Sequence, residues 1–212
     1  MNILIIHNDY QIPGGETVVV HNEVELLRQN GHQVFLWLAS NDEIKNYSTL
    51  EKINLFQTSI FSKKTIKEIH RINTEFKPDI AHIHNVFPLI SPSVYQILNQ
   101  LKIPIVQTLH NFRFLCPNGT FFRSGKSCEK CPQTSYFNAI RYKCYRNSVA
   151  ASTVLTLSIL KNKSNFLEFV DQFIALTEFS KNKYLNYGFS EKKIFIKPNF
   201  FDIKLEPIKN KT

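Results

Sequence analysis

Asn2-Ile3-Leu4-Ile5-Ile6-His7-Asn8-Asp9, then Pro13-Gly14-Gly15-Glu16, then Gly31-His32-Gln33-Val34-Phe35-Leu36-Trp37-Leu38: the opening segment decides the fold. The unbroken apolar run Asn2 to His7, ending in polar residues, suits a parallel strand buried on both faces. Pro13-Gly14-Gly15 breaks the chain. From Glu16 to Asn30, Val19, Val20, Val24 and Leu27 recur at helical spacing, and Gly31 stands where a helix C-cap is expected. Gln33 to Leu38 reads as the next strand. This strand–loop–helix–strand unit then repeats. Lys63 to Phe76 is predicted helical with Ile66, Ile69, Ile72 and Phe76 as its stripe, and Ile80 to Ile83 is a strand. Ser91 to Leu101 is a helix with Pro92 in its first turn, and Pro104 to Leu109 is a strand. Asp171 to Leu176 and Lys193 to Ile196 are two more strands, separated by a helix from Glu178 to Tyr187 that Gly188 caps. The alternation predicts an α/β fold: a Rossmann-like parallel sheet with helices on both faces.

With 212 residues, 43% of them hydrophobic and 20% charged, the chain has ordinary globular usage, which excludes a disordered tail or a collagen-like fibre. Lys and Arg number 26 against 17 acids, a net charge of +9. That favours an anionic partner: nucleic acid, a phosphorylated small molecule or an acidic membrane face. The basic residues are scattered over stretches that read equally well as solvated helix faces. No apolar stretch approaches the roughly 20 residues of a membrane-spanning helix. The first residues read as a strand rather than a signal peptide, so a cytoplasmic location is expected.

From Asn111 to about residue 134 the pattern stops, and a longer helical stretch, Tyr136 to Leu160, follows. Cys116, Cys128, Cys131 and Cys144 all lie in or beside this insertion. A Cys-x-x-Cys turn with two further thiols can close a tetrahedral zinc site. The other readings are buried free thiols or one reversible disulfide. The sequence has no Walker A, Gly-x-Gly-x-x-Gly, Asp-x-Asp or His-Glu-x-x-His pattern. This gives no support to P-loop nucleotide binding, the dinucleotide fingerprint, a metal-bound sugar nucleotide or a zinc protease, and no catalytic metal is expected.

Polar chemistry is predicted at the strand ends. His84-Asn85 follows one strand and His110-Asn111 another, and ligands of open parallel sheets bind beyond the carboxyl ends of the strands. The Gly14-Gly15 loop and Glu178 point to the same edge. Paired glycines let a ligand approach the backbone, and a helix start offers N–H groups to an anion.

These segments, with Lys77-Pro78-Asp79-Ile80-Ala81-His82-Ile83-His84-Asn85, Thr108-Leu109-His110-Asn111, Thr177-Glu178-Phe179-Ser180-Lys181 and Ile196-Lys197-Pro198-Asn199, resemble in order and spacing a family 4 retaining glycosyltransferase of GT-B fold. The insertion, with Phe112-Arg113-Phe114-Leu115-Cys116-Pro117-Asn118-Gly119, resembles a branch common among bacterial surface-polysaccharide enzymes. The resemblance implies an N-terminal, acceptor-side domain over residues 1–199, with a tail or interdomain linker over 200–212. It implies that Gly14 and Gly15 lie near the donor diphosphate and that His110, the catalytic candidate, lies beside the transferred sugar. His84, Asn85 and Arg113 fall on the acceptor side, Asn111, Glu178 and Ser180 face the cleft, and Asn199 sits at the crossover to a second domain. Phe200 departs from the family's usual Asn-Gly there.

The expected partners are a nucleotide-sugar donor, gripped mainly by a C-terminal domain this chain does not contain, and a glycan or polyprenyl-diphosphate acceptor. Nucleic acid is not expected. Without that second domain the chain is expected to lack turnover. A non-catalytic subunit that recruits a donor-binding chain to the membrane is the alternative. Arg141, Lys143, Arg146, Lys161 and Lys163 flank an apolar stretch that could meet an anionic leaflet at the inner face of the cytoplasmic membrane. Val154, Leu155 and Ile159 could instead simply pack on the sheet.

Overall fold

Asn2–Asp9 forms β1 and Gly15–Gln29 forms α1 in a computed structural model that describes residues 1–10 and 14–200. Gln33–Ser40 is β2, and Thr49–Thr58 and Lys63–Phe76 are α2 and α3. Ile80–Asn85 is β3, Ser93–Gln100 is α4 and Ile105–Leu109 is β4. The insertion contains the two-residue strands β5 (Phe122–Arg123) and β6 (Lys126–Ser127) and the short helices α5 (Lys130–Gln133) and α6 (Phe137–Arg141). Val149–Phe169 is α7, Gln172–Ala175 is β7, Glu178–Leu185 is α8 and Ile194–Ile196 is β8.

Six strands pair in parallel in the order β2-β1-β3-β4-β7-β8. This is the predicted Rossmann-like sheet. The alternation of β1 explains its two faces: Ile3 and Ile5 pack with Val20 and Val24 of α1, while Leu4 and Ile6 join the larger core with Ile69 and Ile72 of α3. β1 leads outward to β2, and the chain then returns to place β3 on its other side. The strand order therefore reverses between β1 and β3, where open α/β sheets form their ligand crevice.

Three local predictions change. The helix expected from Tyr136 to Leu160 is two helices, because Lys143, Arg146 and Asn147 take left-handed φ values of 50, 52 and 51°. α7 then restarts at a true cap, with the Ser148 hydroxyl accepting from the Ala151 N–H at 3.2 Å. α4 begins at Ser93 with Pro92 as its N-cap rather than in its first turn. α2 went unassigned in the sequence although its start is a capping box, Ser48 with Glu51. It buries none of its residues, so its apolar periodicity is weak. The predicted tail past residue 200 lies outside the described residues. Among the described residues no helix is long and apolar enough to cross a membrane.

Candidate active site

His82 and His84 lie two residues apart on β3, so both side chains leave the face that Ile80 packs against α1. They meet Glu23, which sits in the buried stripe of α1 between Val20 and Val24. Glu23 Oε2 is 3.0 Å from His84 Nε2, off the axis of a hydrogen bond, and 3.8 Å from His82 Nδ1. The other carboxylate oxygen receives Lys197 Nζ from just beyond β8. On its far side His84 Nδ1 pairs with His110 Nε2 at 2.8 Å, with the rings stacked at 5.1 Å. His82 Nε2 pairs with the Thr108 hydroxyl at 2.8 Å. A continuous row, Lys197–Glu23–His84–His110, thus crosses the carboxyl edge of the sheet beside the strand-order reversal.

Charge in this row follows from burial. Burial would raise the Glu23 carboxyl, but His84, His82 and Lys197 together hold it well below the usual range. Burial pushes His82 and His84 down, and lowers His110 to about 4 with help from nearby His7. Near neutral pH the row is a lysine–carboxylate pair backed by neutral imidazoles. The carboxylate draws the His84 proton to Nε2, which makes His84 Nδ1 an acceptor for the His110 Nε2–H. This assignment, made from the network, leaves His110 Nδ1 with a free lone pair. Glu23, His82 and His84 also bring three ligand atoms within 4.8 Å, the one such trio among the described residues. Lys197 already neutralises its carboxylate, so the arrangement is an ion pair rather than a cation cage.

His110 is followed by Asn111, whose Nδ2 donates to Glu16 Oε1 at 3.2 Å and whose Oδ1 accepts from the Arg113 N–H at 2.9 Å. Glu16 lies in the first turn of α1, so the glycine loop and the His110-Asn111 loop are tied together. Gly119, with φ +79°, turns the insertion back: its carbonyl accepts from the Phe112 N–H at 2.8 Å, and a Cβ there would lie 3.4 Å from Asn111 Oδ1. Arg113 stands over the rings of Phe87 and Tyr145, with Nε and Nη1 buried and without a partner. His84, Asn85, His110, Asn111 and Arg113 line one pocket.

The remaining predicted site residues divide. The Asn85 amide is occupied by the backbone, donating to the Asn8 carbonyl at 2.6 Å and accepting from the Phe87 N–H at 3.1 Å. Gly14 and Gly15 are exposed at the start of α1, and a Cβ at either would meet nothing within 4 Å. Glu178 is exposed in the first turn of α8, where Thr177 caps Ser180 N at 3.1 Å; both lie at the same sheet edge as His110 but outside its pocket. Asn199 is exposed two residues past Lys197. Cys116, Cys128 and Cys131 in the insertion and Cys144 beyond it are free thiols, and no three of them bring their sulfurs within 4.8 Å of one another. Glu23, Lys197 and His7 were not singled out in the sequence. His7, fully buried at the end of β1, faces Thr17 at 3.4 Å and Asp9 at 3.9 Å, and burial lowers it to about 4 against the pull of Asp9.

Val154, Leu155 and Ile159 of α7 are all buried in the fold, leaving Val149, Leu157 and Leu160 as the large exposed apolar residues of that helix.

Residues 13–205 match the family described as Glycosyltransferase Family 4. An uncharacterized 42.6 kDa protein in a cps region of Klebsiella pneumoniae is 23% identical over 173 residues, covering 80% of this chain and 40% of that protein. The S. aureus MnaA–UDP structure aligns with a TM-score of 0.50 at 13% identity, over 92% of this chain and 43% of its own. Anabaena Alr3699/HepE in complex with UDP aligns at 0.46 and 13%, over 95% of this chain and 45% of its own. This chain spans less than half the length of each of the three.

Proposed function

The chain belongs to Glycosyltransferase Family 4, and we propose that it is the acceptor-side domain of a retaining enzyme that moves a sugar from a nucleotide sugar to a glycan or polyprenyl-diphosphate-linked acceptor. The observation that carries the reading is the Lys197–Glu23–His84–His110 row, which fixes one unpaired imidazole nitrogen at the ligand-binding edge of the sheet. His110 Nδ1 accepts a hydrogen bond from a hydroxyl of the transferred sugar and so orients the anomeric carbon. As the bond to the diphosphate breaks, its electron pair leaves with the phosphate oxygen, the acceptor hydroxyl oxygen bonds the anomeric carbon from the same face, and the hydroxyl proton passes to the departing phosphate oxygen. The open backbone at Gly14 and Gly15 and the N–H groups of α1 meet that growing negative charge. Arg113, whose Nε and Nη1 are buried without a partner, falls on the acceptor side in this reading.

The domain that grips the nucleotide lies outside this chain in this reading, so the 212 residues bind sugar nucleotides weakly and do not turn over alone. UDP, the nucleotide in the S. aureus MnaA structure, is the one to try first. The cps-region setting of the Klebsiella relative supports a polysaccharide acceptor. Calorimetry of the chain with UDP-sugars tests the division of labour: low-micromolar affinity refutes it. In the protein that carries a donor-binding domain, His110→Ala is expected to lower turnover by about 10²-fold or more. An unchanged rate removes His110 from the chemistry.

A further inference from the structure

α2 stands away from the body of the fold. None of its residues is buried, and Leu50 and Ile53 are exposed on it. Between α2, the end of β2 and the first turns of α3 lies a groove of about 470 Å³, against about 60 Å³ for the pocket at His110. Ligand clefts run from about 300 to 1,000 Å³, so the groove has the size of a site. It also adjoins the pocket. Phe87 and Pro92 line the pocket, while Leu89 and Ile90, between them in sequence, line the groove. The connection that follows β3 is therefore the wall that the two share.

The lining joins an aromatic surface to unspent polar groups. Trp37, the single tryptophan of the chain, is half-buried on β2: part of it packs against the main core and part faces the groove. Among the described residues its indole N–H has no partner, although such a donor ordinarily finds one. Tyr47 is the second aromatic, and burial with the neighbouring Glu43 and Glu51 carboxylates pushes its hydroxyl up, so it remains a donor. Some of the lining is already committed. Glu51 closes the capping box with Ser48, the Thr58 hydroxyl donates to the Asn54 carbonyl at 3.2 Å, and Glu68 pairs with Arg71. The Glu43 carboxylate, the Asn54 amide and the Lys64 ammonium have no hydrogen bond or ion pair among the described residues. Glu43, Glu51 and Glu68 face one lysine across the groove, in a chain of net charge +9. An anionic ligand is disfavoured there.

We propose that this groove is a second saccharide site, which holds neutral sugar residues of the acceptor glycan a short way along from the one that reacts. The proposal rests on the reading of the chain as an acceptor-side domain. A pyranose ring offers an apolar face of C–H groups and a rim of hydroxyls. The face packs on Trp37, and the hydroxyls donate to the Glu43 carboxylate and exchange hydrogen bonds with the Asn54 amide, the Tyr47 hydroxyl and the indole N–H. One apolar platform with a few placed polar groups fixes orientation as well as affinity. Sugars held in the groove touch no reacting atom, so they add binding that is the same before and during transfer. Their effect is to keep the glycan end beside the His110 pocket, across the shared wall.

The 212-residue chain reports on its own groove, because Trp37 is its one tryptophan. Titration with maltotriose and with chitotriose, both neutral, should give a saturable change in tryptophan fluorescence with at least one of them. A hyaluronan tetrasaccharide, which carries carboxylates, should bind at least about fivefold more weakly than the better neutral probe. Glu43→Gln with Asn54→Ala, both at exposed positions outside the His110 pocket, should weaken that probe at least about fivefold in calorimetry, with an unchanged circular dichroism spectrum. No saturable change with either neutral probe, equal or tighter binding of the hyaluronan fragment, or an affinity unmoved by the double variant overturns the proposal. None of these readouts needs turnover, so a failure here is told apart from a failure of the sugar-transfer reading, which His110→Ala tests.

Discussion

Acidification should destabilise this fold before its carboxylates protonate, because its histidines are buried in the neutral form. Burial lowers both His7 and His110 from 6.5 to about 4. An imidazole with a depressed folded-state pKa binds fewer protons folded than unfolded across that window. Stability is therefore intact above about pH 6.5 and falls as the pH drops toward 4. Between about pH 7.5 and pH 5, one such histidine costs about 2 kcal/mol. His7 contributes to the lowering of His110, so the two costs do not simply add. His82 and His84 are shifted in the same direction. A total of several kcal/mol is a large part of the 5–15 kcal/mol that typically holds a domain together. Glu23 acts in the same sense but lower on the scale, since its depressed carboxyl stabilises the fold above its unfolded pKa and loses that contribution as the pH falls further.

Urea denaturation monitored by circular dichroism, at intervals from about pH 7.5 to pH 5, reads this directly. The slope of stability against pH gives the protons taken up on unfolding, and a value above one is expected near pH 5.5. His7→Gln, which removes a buried titratable group, should flatten the slope by close to one proton. A flat profile, or an unchanged slope in the variant, refutes the picture of buried neutral imidazoles.

Other perturbations separate function from structure. Gly15→Ala should stabilise α1 by about 0.4–1 kcal/mol, because the new methyl meets nothing within 4 Å, yet weaken binding of a sugar nucleotide; thermal melts paired with calorimetry check both. In the protein that carries a donor-binding domain, Glu23→Gln should lower turnover about tenfold or more by releasing the His84 tautomer, with a shifted pH–rate profile; an unchanged profile disconnects Glu23 from His110. Liposomes of anionic lipid should co-sediment the chain through Lys161, Lys163 and the exposed Val149, Leu157 and Leu160, losing about 1 kcal/mol for each basic contact screened by salt; equal behaviour with neutral vesicles removes the membrane.

The sheet was legible because each of its strands is a short apolar run bounded by polar or turn residues, and α3 was read to the residue because Ile66, Ile69 and Ile72 hold strict helical spacing. The break at residues 143–147 was not, since three non-glycine residues in left-handed backbone leave no trace in hydrophobic pattern. At the site, His84 and His110 were readable from strand ends alone. Glu23 was hidden in plain view. It occupies a buried position three residues from Val20 and four from Leu27, where a carboxylate requires a partner. Lys197 carried no signal of its own, because its partner is 174 positions away and only the folded sheet brings them together.

Burial is the main reason the central histidines stay neutral in a chain of net charge +9, and that distant pairing adds to it. An ionised Glu23 alone would favour imidazolium at His84, and protonation there would reverse the hydrogen bond that leaves His110 Nδ1 free. Lys197 supplies the compensating positive charge from the opposite side of the carboxylate, so the His84 proton is oriented without being doubled. The lysine stands at the end of β8, the last strand of the sheet, while His110 stands after β4. Removing the charge with Lys197→Met should therefore shift His82 and His110 upward, while burial still holds them below ordinary imidazole values, and nitrogen-15 chemical shifts of the rings would report the change. The same shifts, followed in Glu23→Gln, should move the other way, because the variant loses the negative partner instead of the positive one. Displacements of the same sign in both variants would break the electrostatic argument for the row.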